Sequence, residues 1–150
     1  MNEAYTLIKG SGLKLTPRRR EMVALFLHTQ KPLSPLEVQD HLKLHFKQCG
    51  LPGVYRNLET LADCGVLFRV VGFARERSYA LCCRPINEHH HQHHHHIICS
   101  SCGKVGQVDL CEYHKGMMIE GFRLVSHVVQ LSGICYSCES KEKEDVSCKA

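Results

Sequence analysis

Apolar positions in the first half of the chain recur at spacings of three and four, and polar capping residues punctuate them. Thr16-Pro17 opens one such run: Thr is a good N-cap, Pro suits the first helical position, and Glu21 lies in the early turns. Met22, Leu25 and Phe26 then give that helix a buried stripe. Ser34-Pro35-Leu36-Glu37 repeats the start signal with Glu37 at the capping-box position, and Val38, Leu42 and Phe46 supply the apolar face. Gly50 breaks the chain before a further helix over residues 52–63, with Val54, Leu58 and Leu61 inward and Cys64-Gly65 at its end. A weaker helix over residues 2–9 precedes them all, ending near Gly10-Ser11-Gly12. Two extended runs follow, residues 66–71 and 78–82, joined by a loop containing Gly72 and Arg75. Helices followed by a hairpin is the order of a winged helix-turn-helix.

Beyond Arg84-Pro85 the pattern changes. Residues 93–99 and 103–110 read as strands, 111–121 as a helix, and 124–131 as an apolar, β-branched strand. From Glu139 the chain is Lys, Glu, Ser and Asp, which predicts a solvated, mobile end. The expected architecture is α+β. A winged helix-turn-helix over 1–83 leads through a hinge at 84–87 into a small α/β metal-binding domain over 88–140, with a flexible tail over 141–150.

Composition sharpens this picture. At 43% hydrophobic and 23% charged the chain is globular. Its apolar runs are too short for a membrane span, and MNEAYTLIKG has neither an apolar signal core nor a small-residue cleavage site. A cytoplasmic protein is expected. Residues 1–80 carry 12 Lys+Arg against 7 Asp+Glu, whereas residues 81–150 carry 7 against 8. The positive excess lies in the first half, and nearly all the metal-type ligands lie in the second. That split suits one part that meets phosphate and another with a different task.

Ten cysteines and twelve histidines carry the chemistry. Cys99-Ser-Ser-Cys102 and Cys135-Tyr-Ser-Cys138 each offer two thiolates at the spacing of one metal-binding turn, and two such turns close a tetrahedral structural zinc site. Zinc there contributes folding free energy of roughly 10 kcal/mol or more. The run His89-His90-His91-Gln92-His93-His94-His95-His96 is internal and leads straight into Ile97-Ile98-Cys99, unlike a terminal affinity tag. In an extended segment His94 and His96 share one face while His93 and His95 share the other, so one strand can feed two metal sites. His114 and His127 are further imidazoles within reach of such a strand. On the nucleic-acid side stand Arg18-Arg19-Arg20, Lys14 before them, and Tyr55-Arg56 in the first turns of the 52–63 helix, where a recognition helix offers side chains to base edges. A zinc hydrolase would need an open metal position beside a general base, and no His-Glu-x-x-His is present. No enzyme and no small-molecule substrate are expected.

Taken in order and spacing, Gly12-Leu13-Lys14-Leu15-Thr16-Pro17-Arg18-Arg19, Val54-Tyr55-Arg56-Asn57-Leu58, His93 to His96 with Ile97-Ile98-Cys99-Ser100-Ser101-Cys102-Gly103-Lys104-Val105, His127, and Cys135-x-x-Cys138 resemble the ferric uptake regulator family. The resemblance spans roughly residues 5–138. It implies an operator-binding homodimer with a C-terminal dimerisation domain and up to three metal sites per subunit. It assigns Cys99, Cys102, Cys135 and Cys138 to structural zinc, His93, His95, His114 and His127 to a site on the dimerisation domain, and His94 and His96 to a sensing site at the hinge. It makes Lys14 a minor-groove contact and gives Tyr55 and Arg56 major-groove and backbone contacts; Arg19, from the basic run, joins them as an expected DNA-binding residue.

The same resemblance bears on the metal. Iron-reading members carry a Glu after the aromatic of the second wing strand, and here Tyr79 is followed by Ala80. Zinc-reading members carry a Cys shortly after it, as Cys82 does here, with Cys83 as the alternative. A thiolate with two imidazoles is a soft set that suits Zn2+ better than Fe2+. Phe68 and Gln107 stand where a further ligand often lies, so a fourth ligand falls to Asp109, His91, water or none. Gly53 replaces the hydroxyl residue usual before Val-Tyr-Arg. A repressor of metal-uptake genes that senses zinc is therefore expected. The alternatives are a relative that reads Fe2+, another metal, peroxide or haem, and a histidine-rich metal-storage protein.

Overall fold

Thr16 and Ser34 set the frame of the N-terminal unit. The Thr16 hydroxyl accepts the Arg19 amide at 3.3 Å and starts α2 (Pro17–Thr29). Ser34 starts α3 (Pro35–His45) with a complete capping box: its Oγ accepts the Glu37 amide at 3.3 Å, and the Glu37 carboxylate accepts the Ser34 amide at 2.7 Å. α1 (Asn2–Gly10) precedes them, and α4 (Leu51–Asp63) follows, entered through Gly50 without a side-chain cap. This computed structural model describes residues 2–71, 77–82 and 94–147.

The helices are held by the apolar stripes their spacing predicts. Met22, Phe26, Val38, Leu42, Val54, Leu58 and Leu61 are buried, joined by Ile8, Val23 and Leu33. The wing is β1 (Leu67–Val70) antiparallel to β2 (Ser78–Leu81), with Leu67 opposite Leu81 and Val70 opposite Ser78. An isolated bridge between Leu33 and Tyr79 adds a third, minimal strand. The chain divides into two compact units, Met1–Ile86 and Asn87–Ala150.

The second unit is built on β3 (His95–Cys99), which pairs antiparallel with β4 (Val105–Val108) and parallel with β7 (Gln130–Gly133). Gly106 sits over Ile97, where an added Cβ would come within 2.9 Å of the Ile97 Cγ2, so any side chain there would force Ile97 to shift. Three expectations fail here. Residues 111–121 are not helical: β5 (Met118–Ile119) and β6 (Phe122–Arg123) form a hairpin through Glu120 and Gly121, both at positive φ (48° and 83°). Two positive-φ residues in a row make the tight turn whose twist matches the flanking strands. The strand expected over 124–131 starts only at Gln130, so His127 lies ahead of β7. The expected flexible tail over 141–150 is helical as far as Ser147, as part of α5 (Tyr136–Ser147). The Cys135 carbonyl accepts the Cys138 and Glu139 amides at 2.9 and 3.0 Å and closes its first turn, and the Lys and Glu that follow are good helix formers.

Candidate metal centres and nucleic-acid face

Two turns bring four thiols together. The first follows β3, where the Cys99 carbonyl accepts the Gly103 amide at 2.9 Å and the Cys99 amide binds the Lys104 carbonyl. The second opens α5. Cys99, Cys102, Cys135 and Cys138 lie with all sulfurs within 4.8 Å of one another, and Cys102 and Cys135 stand 3.7 Å apart. Four sulfurs bound about 2.3 Å from a tetrahedral ion would be about 3.8 Å apart. The donor set fits zinc. The thiol acidities show what the cluster needs. Backbone N–H groups of Cys102 and Cys135 lower Cys99 to about 6, the Cys135 amide lying 3.3 Å from its sulfur. Cys138 gains some acidity from the Ser101 hydroxyl, yet the neighbouring Cys135 and Cys102 thiols push it up to about 11. Several thiolates so close repel one another until a cation sits among them.

The strand β3 presents its imidazoles alternately. His94 and His96 meet on one side with ring centroids 4.9 Å apart, while His95 turns to the other and packs 5.2 Å from the His127 ring. Burial, together with the charges His94 and His95 can carry, lowers His96 to about 4. Its ring is neutral at ordinary pH, with a lone pair to donate. Cys82, the third residue expected in the sensing set, follows β2 in the first unit, and its amide donates to the Val66 carbonyl at 3.0 Å. Of the other residues weighed there, Asp109 is exposed and its carboxylate accepts from the Gln107 side chain. Cys83 and His91 lie outside the described residues.

On the opposite face of β3, His95, Cys111 and His127 form a second three-ligand group within 4.8 Å, with the Cys111 sulfur 3.2 Å from the His127 Nε2. His95 is buried; the other two are half-buried. His114, expected in this set, is exposed and outside the group, and His93 lies outside the described residues. The difference follows from the failed helix: residues 111–117 run as irregular chain, which turns Cys111 towards His127. Cys111 went unread in the sequence, although a cysteine three residues ahead of a weighed histidine was a usable signal.

In the first unit Lys14 and Arg56 are exposed and Tyr55 is half-buried on the first turns of α4. Arg19 is largely committed within the protein. Its Nε donates to the Asn57 side chain at 3.1 Å, and a terminal nitrogen donates to the Lys14 carbonyl at 2.6 Å. Asn57 in turn donates to the Gly53 carbonyl at 2.8 Å. Arg19 thus ties the Lys14 loop to α4.

Comparison with known proteins places these features in company. The ferric uptake regulator family profile matches residues 10–132. The ferric uptake regulation protein of Staphylococcus epidermidis (strain ATCC 12228) is 28% identical over 141 residues, covering 93% of this chain and 96% of its own. That of Staphylococcus aureus (strain Mu50) is 27% identical over 139 residues, covering 92% and 97%. A zinc uptake regulator solved with zinc and DNA superposes with a TM-score of 0.73 at 24% identity, over 95% of this chain and 94% of that one. An iron-bound ferric uptake regulator from Francisella tularensis gives 0.51 at 26% identity, over 85% and 96%.

Proposed function

Because this chain belongs to the ferric uptake regulator family, we propose that it is a repressor that holds operator DNA as a homodimer when zinc is replete and releases metal-uptake genes on depletion. Members of this family are metal-dependent transcription regulators and not enzymes, so its metals act on shape and charge. The observation that carries the reading is the pairing of a winged helix with a four-thiol cluster and imidazoles aimed alternately from one strand.

Cys99, Cys102, Cys135 and Cys138 would hold structural zinc, and Cys82, His94 and His96 would share the regulatory ion. Zinc supplies a divalent charge that gathers thiolate and imidazole lone pairs without redox chemistry. The choice of zinc over iron rests on this ligand chemistry, one thiolate with two imidazoles, since a structural likeness at 24% identity speaks to fold alone. Ferrous iron is the second reading, favoured by the curated relatives' name. We assign His95, Cys111 and His127 to the dimerisation-domain site, with His93 and His114 as its other expected ligands.

The homodimer is supported by the apolar side chains the second unit leaves in solvent. Leu110, Phe122, Val128 and Tyr136 are 79–89% exposed, apolar surface that a partner could cover. On DNA, Tyr55 and Arg56 would meet the major groove and backbone and Lys14 the minor groove, with Arg19 holding the Lys14 loop. No helix among the described residues is long and apolar enough to cross a membrane, and a regulator of this kind works in the cytoplasm, where its DNA is.

The test is operator binding by fluorescence anisotropy, titrated separately with zinc and with ferrous iron under anaerobic conditions. Zinc is expected to tighten binding at least ~10-fold, and Cys82→Ser to abolish that gain while leaving the four-thiolate zinc in place. A response to iron alone would transfer the assignment to iron; an unchanged zinc response in Cys82→Ser would remove Cys82 from the switch.

A further inference from the structure

A third group of ligand-type side chains belongs to the winged helix itself and uses none of the residues assigned above. α3 carries His41 and His45, one turn apart and so on one face of the helix. The packing of α2 against α3 brings Glu21 to that face. Its Oε1 lies 2.8 Å from the His41 Nε2 and 3.4 Å from the His45 Nε2, and the two rings stand 5.1 Å apart. All three ligand atoms fall within 4.8 Å of one another.

We infer that Glu21, His41 and His45 form a binding site for a divalent transition-metal ion that ties α2 to α3. Two imidazoles at i and i+4 form a helix chelate whose spacing is fixed by the backbone, and a carboxylate from the neighbouring helix adds the third ligand and a negative charge. Nitrogen and oxygen ligands about 2.0–2.2 Å from a tetrahedral ion stand about 3.3–3.5 Å apart. The two measured edges, 2.8 and 3.4 Å, need only small side-chain adjustments to reach that. The donor set selects zinc and the later first-row metals over magnesium and calcium, which prefer all-oxygen sites. Side chains 28, 48 and 30% exposed for His41, His45 and Glu21 leave the site open to ions and water from solvent.

A hydrogen-bonded ion pair is the competing account of the same contacts, and the two differ in where the protons sit. In the ion pair an imidazole Nε2 donates its proton to the carboxylate. In the metal site both Nε2 lone pairs face the cation and the ring protons remain on Nδ1. The site's consequence lies in the packing, since α3 also packs against α4, which carries Tyr55 and Arg56. A bound ion would brace the layer behind the recognition helix.

The full-length protein, with its four-thiolate zinc in place, is titrated with zinc while the histidine ring nitrogens are followed by nitrogen-15 NMR. Assignment uses His41→Gln and His45→Gln, and total bound zinc is measured by elemental analysis after equilibrium dialysis. The expected result is that the His41 and His45 Nε2 signals move to metal-bound positions, and that each variant holds about one zinc fewer per chain. Glu21→Gln, which keeps the side-chain volume, should weaken uptake at this site at least ~10-fold. Ring signals that do not respond to zinc, with equal stoichiometry in wild type and variants, would overturn the proposal in favour of the ion pair. Neither outcome depends on which metal governs operator binding.

Discussion

Tyr79 is fully buried and its hydroxyl donates to the Glu59 carboxylate at 2.5 Å, on a carboxylate that also accepts from Arg69 Nε at 2.8 Å. The Tyr79 bond, with Arg69 next, holds Glu59 below the ordinary carboxylate range, while burial and the Glu59 contact raise Tyr79 to about 12. The two shifts act at opposite ends of the pH scale. Glu59 binds its proton less readily folded than unfolded, so its stabilisation is present above about pH 4.3 and is lost as pH falls through the lower folded value. Tyr79 holds its proton more tightly folded, so its contribution is present below about pH 10 and is lost as pH rises to about 12. Urea midpoints measured from pH 9 to pH 12 should fall steeply above about pH 10 in wild type and less so in Tyr79→Phe. Parallel curves would show that this hydroxyl does not set the alkaline limit. At the same scale, Cys102→Ser removes one corner of the thiol cluster. Loss of the structural zinc and of the second unit's fold is expected, read as released metal and a lower melting temperature.

At the scale of elements, the capping box of α3 is a local device with a local cost. Ser34→Ala should destabilise the first unit by about 1 kcal/mol and lower its thermal midpoint by roughly 4–8 °C, measured by circular dichroism. A midpoint unchanged within a degree would mean that tertiary packing alone fixes that terminus. Such devices explain why the first unit was legible. Thr16, Ser34 and the prolines after them mark starts that chain chemistry dictates, and α2, α3 and α4 begin within a residue of where those signals stand. The second unit was less readable for a physical reason. Ile98 and Cys99 are its only buried hydrophobic residues among those described, so its apolar pattern carries little of the periodic signal that an internal core imposes, as the proposed metals and partner subunit would lead one to expect. Residues 111–121 read as a helix in the sequence. The left-handed Gly116 and the Glu120–Gly121 turn decide otherwise. The four thiols were legible because their spacing is itself the geometry of the turn. Cys111 was not, because only the three-dimensional path of an irregular segment brings it to His127.

At the scale of the whole molecule, a small core makes the second unit's stability a function of what it binds. Its melting temperature should therefore rise with protein concentration if the proposed dimer buries Leu110, Phe122 and Val128, and should fall sharply with a chelator strong enough to take zinc from the four thiolates. Calorimetry across a concentration series measures both, and a concentration-independent midpoint would count against a dimer held through these side chains. One strand gives this dependence a direction. β3 carries His95 and His96 at its start and Cys99 at its end, in register with β7, where Cys99 lies opposite Gly133 just ahead of Cys135. The thiol cluster thus clamps one end of a short beam whose other end holds imidazoles out on both sides. Once the clamp lets go, the imidazoles lose their common bearing, so under the zinc-sensing function proposed above, starvation severe enough to empty the four-thiolate site would leave the protein unable to register zinc's return until that ion is restored first.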